Sequence, residues 1–140
     1  MKAYRFGLAT LARVRVAGER AERQRLALAV GELVAARSGV AAALDAYRGG
    51  ATPPEQLAGD QLAAWHGSRA VAAAEVVAAE SRAAGAGAAL DVARQRWQAA
   101  RREVRLLERL DDRRRREWEV EVEHAERAEL DDRPRPRGGW

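Results

Sequence analysis

Cysteine is absent from the 140-residue chain, which excludes disulfides, thiolate zinc sites and cysteine nucleophiles. Isoleucine is absent too, aromatics make up 5% of residues, and there are only 12 valines. A sheet protein draws on β-branched and aromatic side chains, so an all-β fold is excluded. Proline occurs only at positions 53, 54, 134 and 136. Inside a helix it costs about 3 kcal/mol, and its positions leave 1–52 and 55–133 free to run as helix. No stretch without charge is longer than Ala83–Leu90, which is too short to cross a bilayer. Met1–Thr10 also lacks the apolar core of a secretory signal. The chain is therefore expected to be soluble and intracellular.

What is present is equally one-sided. Alanine (33), arginine (24), glutamate (14), leucine (13) and a single lysine account for 85 of the 140 residues. Such a composition marks long helices or a coiled coil, and the length suits one domain. The net charge of +4 is unevenly spread. Residues 1–48 carry +5, residues 49–68 carry −2, residues 69–110 carry +3 and residues 111–140 carry −2.

One break divides the chain: Gly49-Gly50-Ala51-Thr52-Pro53-Pro54. The pattern predicts a single helical-hairpin domain over 1–132, with a first helix over about 6–48, a connector over 49–67 and a second helix over about 68–130. Within the connector a short helix is expected over about Glu55–Trp65, with Thr52 a possible N-cap. Residues 133–140, three arginines interleaved with two prolines and ending Gly-Gly-Trp, are expected to be a disordered tail.

The fold class expected is all-α, an antiparallel two-helix coiled-coil hairpin with unequal arms. Val76, Ala79, Ala83, Ala86, Leu90, Ala93, Trp97, Ala100, Val104 and Leu107 alternate in steps of three and four, a heptad-type seam. The first helix shows two overlapping stripes, Leu11, Val14, Gly18, Ala21, Leu28 and then Leu26, Val30, Leu33, Val40, Leu44, Tyr47. Facing residues in an antiparallel pair have a constant index sum. Leu11 with Leu107, Val14 with Val104, Ala21 with Trp97 and Leu28 with Leu90 all add to 118, which puts the hinge near residue 59. Residues 111–130 would then overhang as a lone helix, with helix 2 about 90 Å long. An Ala-rich seam buries little per layer, and Gly85 and Gly87 each cost about 1 kcal/mol relative to Ala, so a marginally stable rod is expected. Glu117–Glu123 alternates with the period of a strand, but a strand there would have no partner, so it is read as helix.

Enzymatic constellations are missing, and no cofactor is expected. The two histidines, His66 and His124, lie far apart in sequence. Glu121 and His124 have the spacing of a bundle metal motif without the further carboxylates such a site needs, so no metal is expected. The glycines form no phosphate loop. Arg113-Arg114-Arg115-Arg116 is the strongest charge feature. It reads either as a solvated helix face balanced by Asp111, Asp112, Glu117 and Glu119, or as a protein-docking patch; nucleic acid fits less well because the acids are interleaved. Trp118 reads as an exposed interface anchor or as a partner of Tyr4 and Phe6. Trp97 is expected in the core.

Tyr4-Arg-Phe6-Gly-Leu8-Ala-Thr-Leu11-Ala-Arg13-Val-Arg15 resembles the opening of the flagellar FliJ family, followed by a Gln-bearing amphipathic helix, here Gln24-Arg-Leu26-Ala. Trp97, Val104, Leu107, Leu110, Asp112, Arg113 and Trp118 look like that family's late segment. Glu126-Arg-Ala-Glu129-Leu130-Asp131-Asp132 is similar to its terminal motif, ending in Asp-Asp where the family has Asp-Glu. The resemblance implies a small cytoplasmic component of the flagellar type III export apparatus, peripheral at the inner face of the cell membrane beside the basal body. It further implies an antiparallel two-helix coiled coil, similar to a rotary-ATPase stalk, that inserts into the export ATPase ring and stimulates it. Contacts with a membrane export-gate protein and with export chaperones follow from the same resemblance.

On this reading the overhang Arg113–Asp132 enters the ring, with Arg113, Arg114, Arg115, Arg116, Trp118, Glu126, Leu130, Asp131 and Asp132 as contacts. For the gate, where the family carries larger apolar residues, only Trp65, Val71 and Val76, with Val77, are available. The competing readings are a structural or adaptor coiled coil of another secretion system and a nucleic-acid-binding helical hairpin. The latter would lose affinity steeply with salt.

Overall fold

The computed structural model describes residues 3–132. Two helices account for most of them: α1 (Ala9–Gly49) and α2 (Gly59–Asp131). They pack against each other as an all-α helical hairpin, and no strand occurs among the described residues. The alternating segment Glu117–Glu123 is helical. The tail over 133–140 lies outside the described residues.

The connector differs from the expectation. Residues 50–58 contain no helix, and the separate short helix over 55–65 is replaced by the opening turns of α2. Thr52 caps nothing, because the next helix starts seven residues later. Ala58 takes the N-cap position instead. Its backbone N–H donates to Gln61 Oε1 at 3.0 Å and its carbonyl accepts from Leu62 N at 2.9 Å. This is half of a capping box, with Gln at the third helical position supplying what the Ala side chain cannot. Asp60 adds a negative charge to the first turn, where the helix dipole favours it.

The described residues divide into two compact units, 20–99 and 3–19 with 100–132. In the 20–99 unit the seam of α1 runs Glu22, Leu26, Ala29, Leu33, Ala36, Val40, Ala43, and that of α2 runs Val76, Ala79, Ala83, Ala86, Leu90, Ala93, Trp97, all buried or half-buried. Matched positions add to 119, pairing Ala29 with Leu90 and Glu22 with Trp97. The connector end is tied by Arg69, whose guanidinium lies 4.1 Å from the Tyr47 ring centroid and donates to the Tyr47 carbonyl.

In the unit formed by 3–19 and 100–132, the α1 seam is Ala9, Ala12, Val16 and Glu19, and that of α2 is Ala100, Val104, Leu107 and Asp111. Phe6, Ala12, Val16, Val104 and Leu107, among others, line a small open pocket of 80 Å³. Arg15 Nη1 bridges to Glu103 Oε2 at 2.8 Å. Before the helix, Ala3–Phe6 has no regular structure, and Ala9 N donates to the Phe6 carbonyl at 3.1 Å.

The ten seam positions read from the second helix are all buried or half-buried. The first stripe of α1 is corrected: Leu11 (40% exposed), Val14 (62%) and Leu28 (68%) face outward. A one-residue change of register turns a helix by about 100°; the seam follows the second stripe instead, with Leu26, Leu33 and Val40 interleaved with Ala29, Ala36 and Ala43. At Leu90 the alignment sets Ala29 opposite, a small residue against a large one, which lets the helices approach. Two glutamates also sit on the seam, where a search for apolar stripes does not look. Glu19 is 6% exposed. Glu22 Oε1 accepts from Arg25 Nη1 at 2.6 Å, while its Oε2 is buried without a hydrogen-bond partner among the described residues. Polar groups at seam positions fix register at a cost in stability.

The buried apolar residues among those described are Ala29, Ala43, Ala79 and Leu90. At about 0.8 kcal/mol per buried carbon, alanines contribute little each. By length and composition α1 could cross a membrane, since an 18-residue window reaches a mean hydropathy of 1.5 with at most two charged residues. Its apolar middle nevertheless contains Glu32 and Arg37, and charged residues at a bilayer centre each oppose insertion by about 2.5–3.5 kcal/mol.

Candidate functional site

The densest set of specific side-chain contacts lies where the N-terminal segment 3–8, here called the strap, crosses α2 between Leu110 and Glu121. The strap precedes α1 because Gly7 and Leu8 form a turn ahead of the helix. Tyr4 reaches α2 with its hydroxyl, which donates to Asp111 Oδ1 at 2.7 Å and lies 3.2 Å from the Asp111 carbonyl oxygen. The Tyr4 and Trp118 ring centroids are 5.9 Å apart and inclined at 52°, a tilted arrangement that suits the aromatic quadrupoles. The Arg115 guanidinium sits 5.5 Å from the Tyr4 ring centroid and 3.6 Å from Asp111 Oδ2. Asp111 thus anchors a tyrosine and an arginine at once.

Trp118 is therefore half-buried against Tyr4, and of the two readings open for it, contact with the strap is the one found. The lone overhang expected from residue 111 is corrected accordingly: strap residues reach as far along α2 as Glu121. A constant index sum describes helix against helix only, whereas the strap is non-helical and continues along α2 beyond the start of α1. Tyr4 and Phe6 carried the only signal, two aromatics in a chain that has few.

Beside the strap lies an open groove of 500 Å³ lined by Tyr4, Phe6, Leu8, Leu110, Arg114 and Trp118, among others. The four consecutive arginines do not form one patch. Arg114 borders this groove, Arg115 turns to Asp111, and Arg113 and Arg116 flank Val120 on another side with Glu117 and Glu121. Successive helical residues are 100° apart, so the division follows from the sequence order. All four are exposed.

The remaining candidates lie elsewhere. Glu126, Leu130, Asp131 and Asp132 are exposed at the end of α2, with Leu130 63% exposed. They stand well over two helical turns beyond Trp118 and are not brought to the arginines. In the 20–99 unit, Trp65 is half-buried and packs edge-on to His66 at 5.0 Å. Val71 is 71% exposed. Val76 occupies the seam and is half-buried there, so a partner cannot share it with α1 fully. Among the described residues no group of three His, Cys, Asp or Glu could hold a metal ion.

Burial first, and then the hydrogen bond to Asp111 and its negative charge, raise the Tyr4 hydroxyl above its ordinary value, against the opposing pull of Arg115 and Arg114. The neutral phenol is thus favoured in the folded chain. Its contribution is present below the ordinary tyrosine value and is lost as pH rises through the raised one. Raising pH from about 9 to 12 should release the strap, seen as increased iodide quenching of Trp118 in a chain whose other tryptophans are replaced by Phe. The step should vanish in Tyr4→Phe; an identical step in that variant would refute the assignment.

Compared with known proteins, the chain matches the family model described as flagellar FliJ protein over residues 4–134. The chain belongs to the flagellar FliJ family. The match starts at Tyr4, so it takes in the strap as well as both helices. The family is a component of flagellar protein export rather than an enzyme family. Neither the curated proteins nor the solved structures contain a match.

Proposed function

We propose that the chain is a cytoplasmic coiled-coil stalk of the flagellar export apparatus, entering the export ATPase ring with the 113–132 part of α2 and stimulating its turnover. The observation that carries this is the family match over almost the whole chain, on a helix pair with few buried side chains and many outward charges. The exposed arginines can meet carboxylates lining a ring's central hole. Exposed ion pairs contribute only about 0–1 kcal/mol each, which suits a binder that shifts between equivalent sites. Links to a membrane export-gate protein, through Trp65, Val71 and Val76, and to export chaperones belong to the same reading.

The test is turnover of the cognate export ATPase with and without the full chain. The expected result is stimulation that is largest at low ATPase concentration, where ring assembly limits activity. Unchanged turnover across the whole concentration range would remove the reading.

A further inference from the structure

The strap is held to α2 by side chains alone. Among the described residues its backbone–backbone hydrogen bonds stay local, from Ala9 N to the Phe6 carbonyl and from Ala12 N to the Leu8 carbonyl. What α2 recognises is therefore the strap's side-chain chemistry: a phenol donating to Asp111 with its ring on Trp118, and a second aromatic two residues on, which lines the same groove. Burial alternates along the strap, with Ala3 and Arg5 exposed and Tyr4 and Phe6 half-buried, the alternation of a segment with two-residue spacing on one side, so Tyr4 and Phe6 engage one helix face together. The groove remains open beside them and carries Arg114 together with Glu117 and Glu121, which selects for no single sign of charge.

We propose that the Leu110–Glu121 face of α2 is a receptor for extended segments bearing two aromatic side chains two residues apart. Tyr4 and Phe6 occupy it in cis, and a partner segment of the same chemistry competes with them for Trp118 and Asp111. The strap is then a built-in competitor: the surface is free only in the fraction of molecules whose strap has lifted. Asp111 demands a donor, so a segment with Tyr in the first aromatic position is preferred over one with Phe. This deepens the docking role proposed above and rests on it only for the partner's identity.

The probe is a fluorescein-labelled peptide of the chain's own residues 1–9, titrated by anisotropy into the full chain and into its Tyr4→Ala/Phe6→Ala variant. Both substitutions precede Ala9, so circular dichroism should show α1 and α2 intact. The variant should bind about tenfold or more tightly than the native chain, because apparent affinity scales with the fraction of competent surface. Adding Trp118→Ala or Asp111→Asn to the variant should reverse the gain, and a peptide with both aromatics replaced by Ala should not bind. Tyr4→Phe alone, which loses only the bond to Asp111, should shift affinity in the same direction by less. Equal affinity for native and variant chains, or a gain indifferent to Trp118→Ala, would overturn the proposal. No ATPase is present, so its failure leaves the stalk reading standing, and absent ATPase stimulation leaves this receptor untouched.

Discussion

Replacing Arg113, Arg114, Arg115 and Arg116 together by Glu should abolish stimulation of the cognate export ATPase while leaving helix content unchanged. The four side chains are exposed, so no core packing depends on them. On the proposed stalk role, inverting four charges turns each attraction to a carboxylate in the ring into a repulsion. Exposed pairs contribute about 0.2–1 kcal/mol each, and four lost together amount to about 1–4 kcal/mol, up to roughly a thousandfold in affinity. Arg115 also pairs with Asp111 beneath the strap, so its reversal loosens Tyr4 as well. Reversing only Arg113 and Arg116, which flank Val120 away from the strap, separates the two effects and should still lower stimulation. Turnover assays with circular dichroism on the same samples decide the matter. Full stimulation by the fourfold variant would exclude the arginines from the contact.

Leu90→Ala should be the most damaging conservative change in the chain. Leu90 is 9% exposed and is the one large side chain among the buried apolar residues described. Its matched position on α1 is Ala29, itself buried, so no neighbour can expand into the space. Large-to-small changes at such sites cost about 2–5 kcal/mol, against a total of about 5–15 kcal/mol for a typical folded domain. The urea midpoint should fall sharply. Leu106→Ala is the control: that side chain is 63% exposed, and its loss should stay within about 0.5 kcal/mol. Equal effects of the two would mean that the seam does not run through Leu90.

How far the fold was legible depended on side-chain size. On α2 the steps of three and four contain few apolar rivals, and the stripe from Val76 to Leu107 could be read position by position. On α1, leucines and valines occupy several faces, and hydrophobicity alone favoured Leu11, Val14 and Leu28. The seam follows the second stripe at Leu26, Leu33 and Val40 and interleaves Ala29, Ala36 and Ala43, small positions that hydrophobicity alone does not pick out. The predicted index sum of 118 is one short of the 119 that aligns the buried positions of the 20–99 unit, a small slip along the chain that still moves the buried face by about 100°.

The candidate site was legible in its parts and not in its assembly. The four arginines and Trp118 stood out by composition, and Tyr4 and Phe6 by scarcity. Nothing local to residues 3–8 specifies where they land, since no helical or strand period extends through them. Asp111, which joins strap, Arg115 and Trp118 into one cluster, looks like any helix-surface acid until Tyr4 is placed beside it.

Composition and the spacing of proline and alanine were enough to determine two long helices, their antiparallel pairing and the exclusion of thiol chemistry, because helix periodicity and proline's missing N–H act locally. Tertiary structure alone decided which of the two α1 stripes is buried, that glutamates sit in the seam, and that Tyr4 covers Trp118. Those outcomes depend on residues far along the chain, from Leu90 opposite Ala29 to Asp111 beneath Tyr4, and no local pattern contains them.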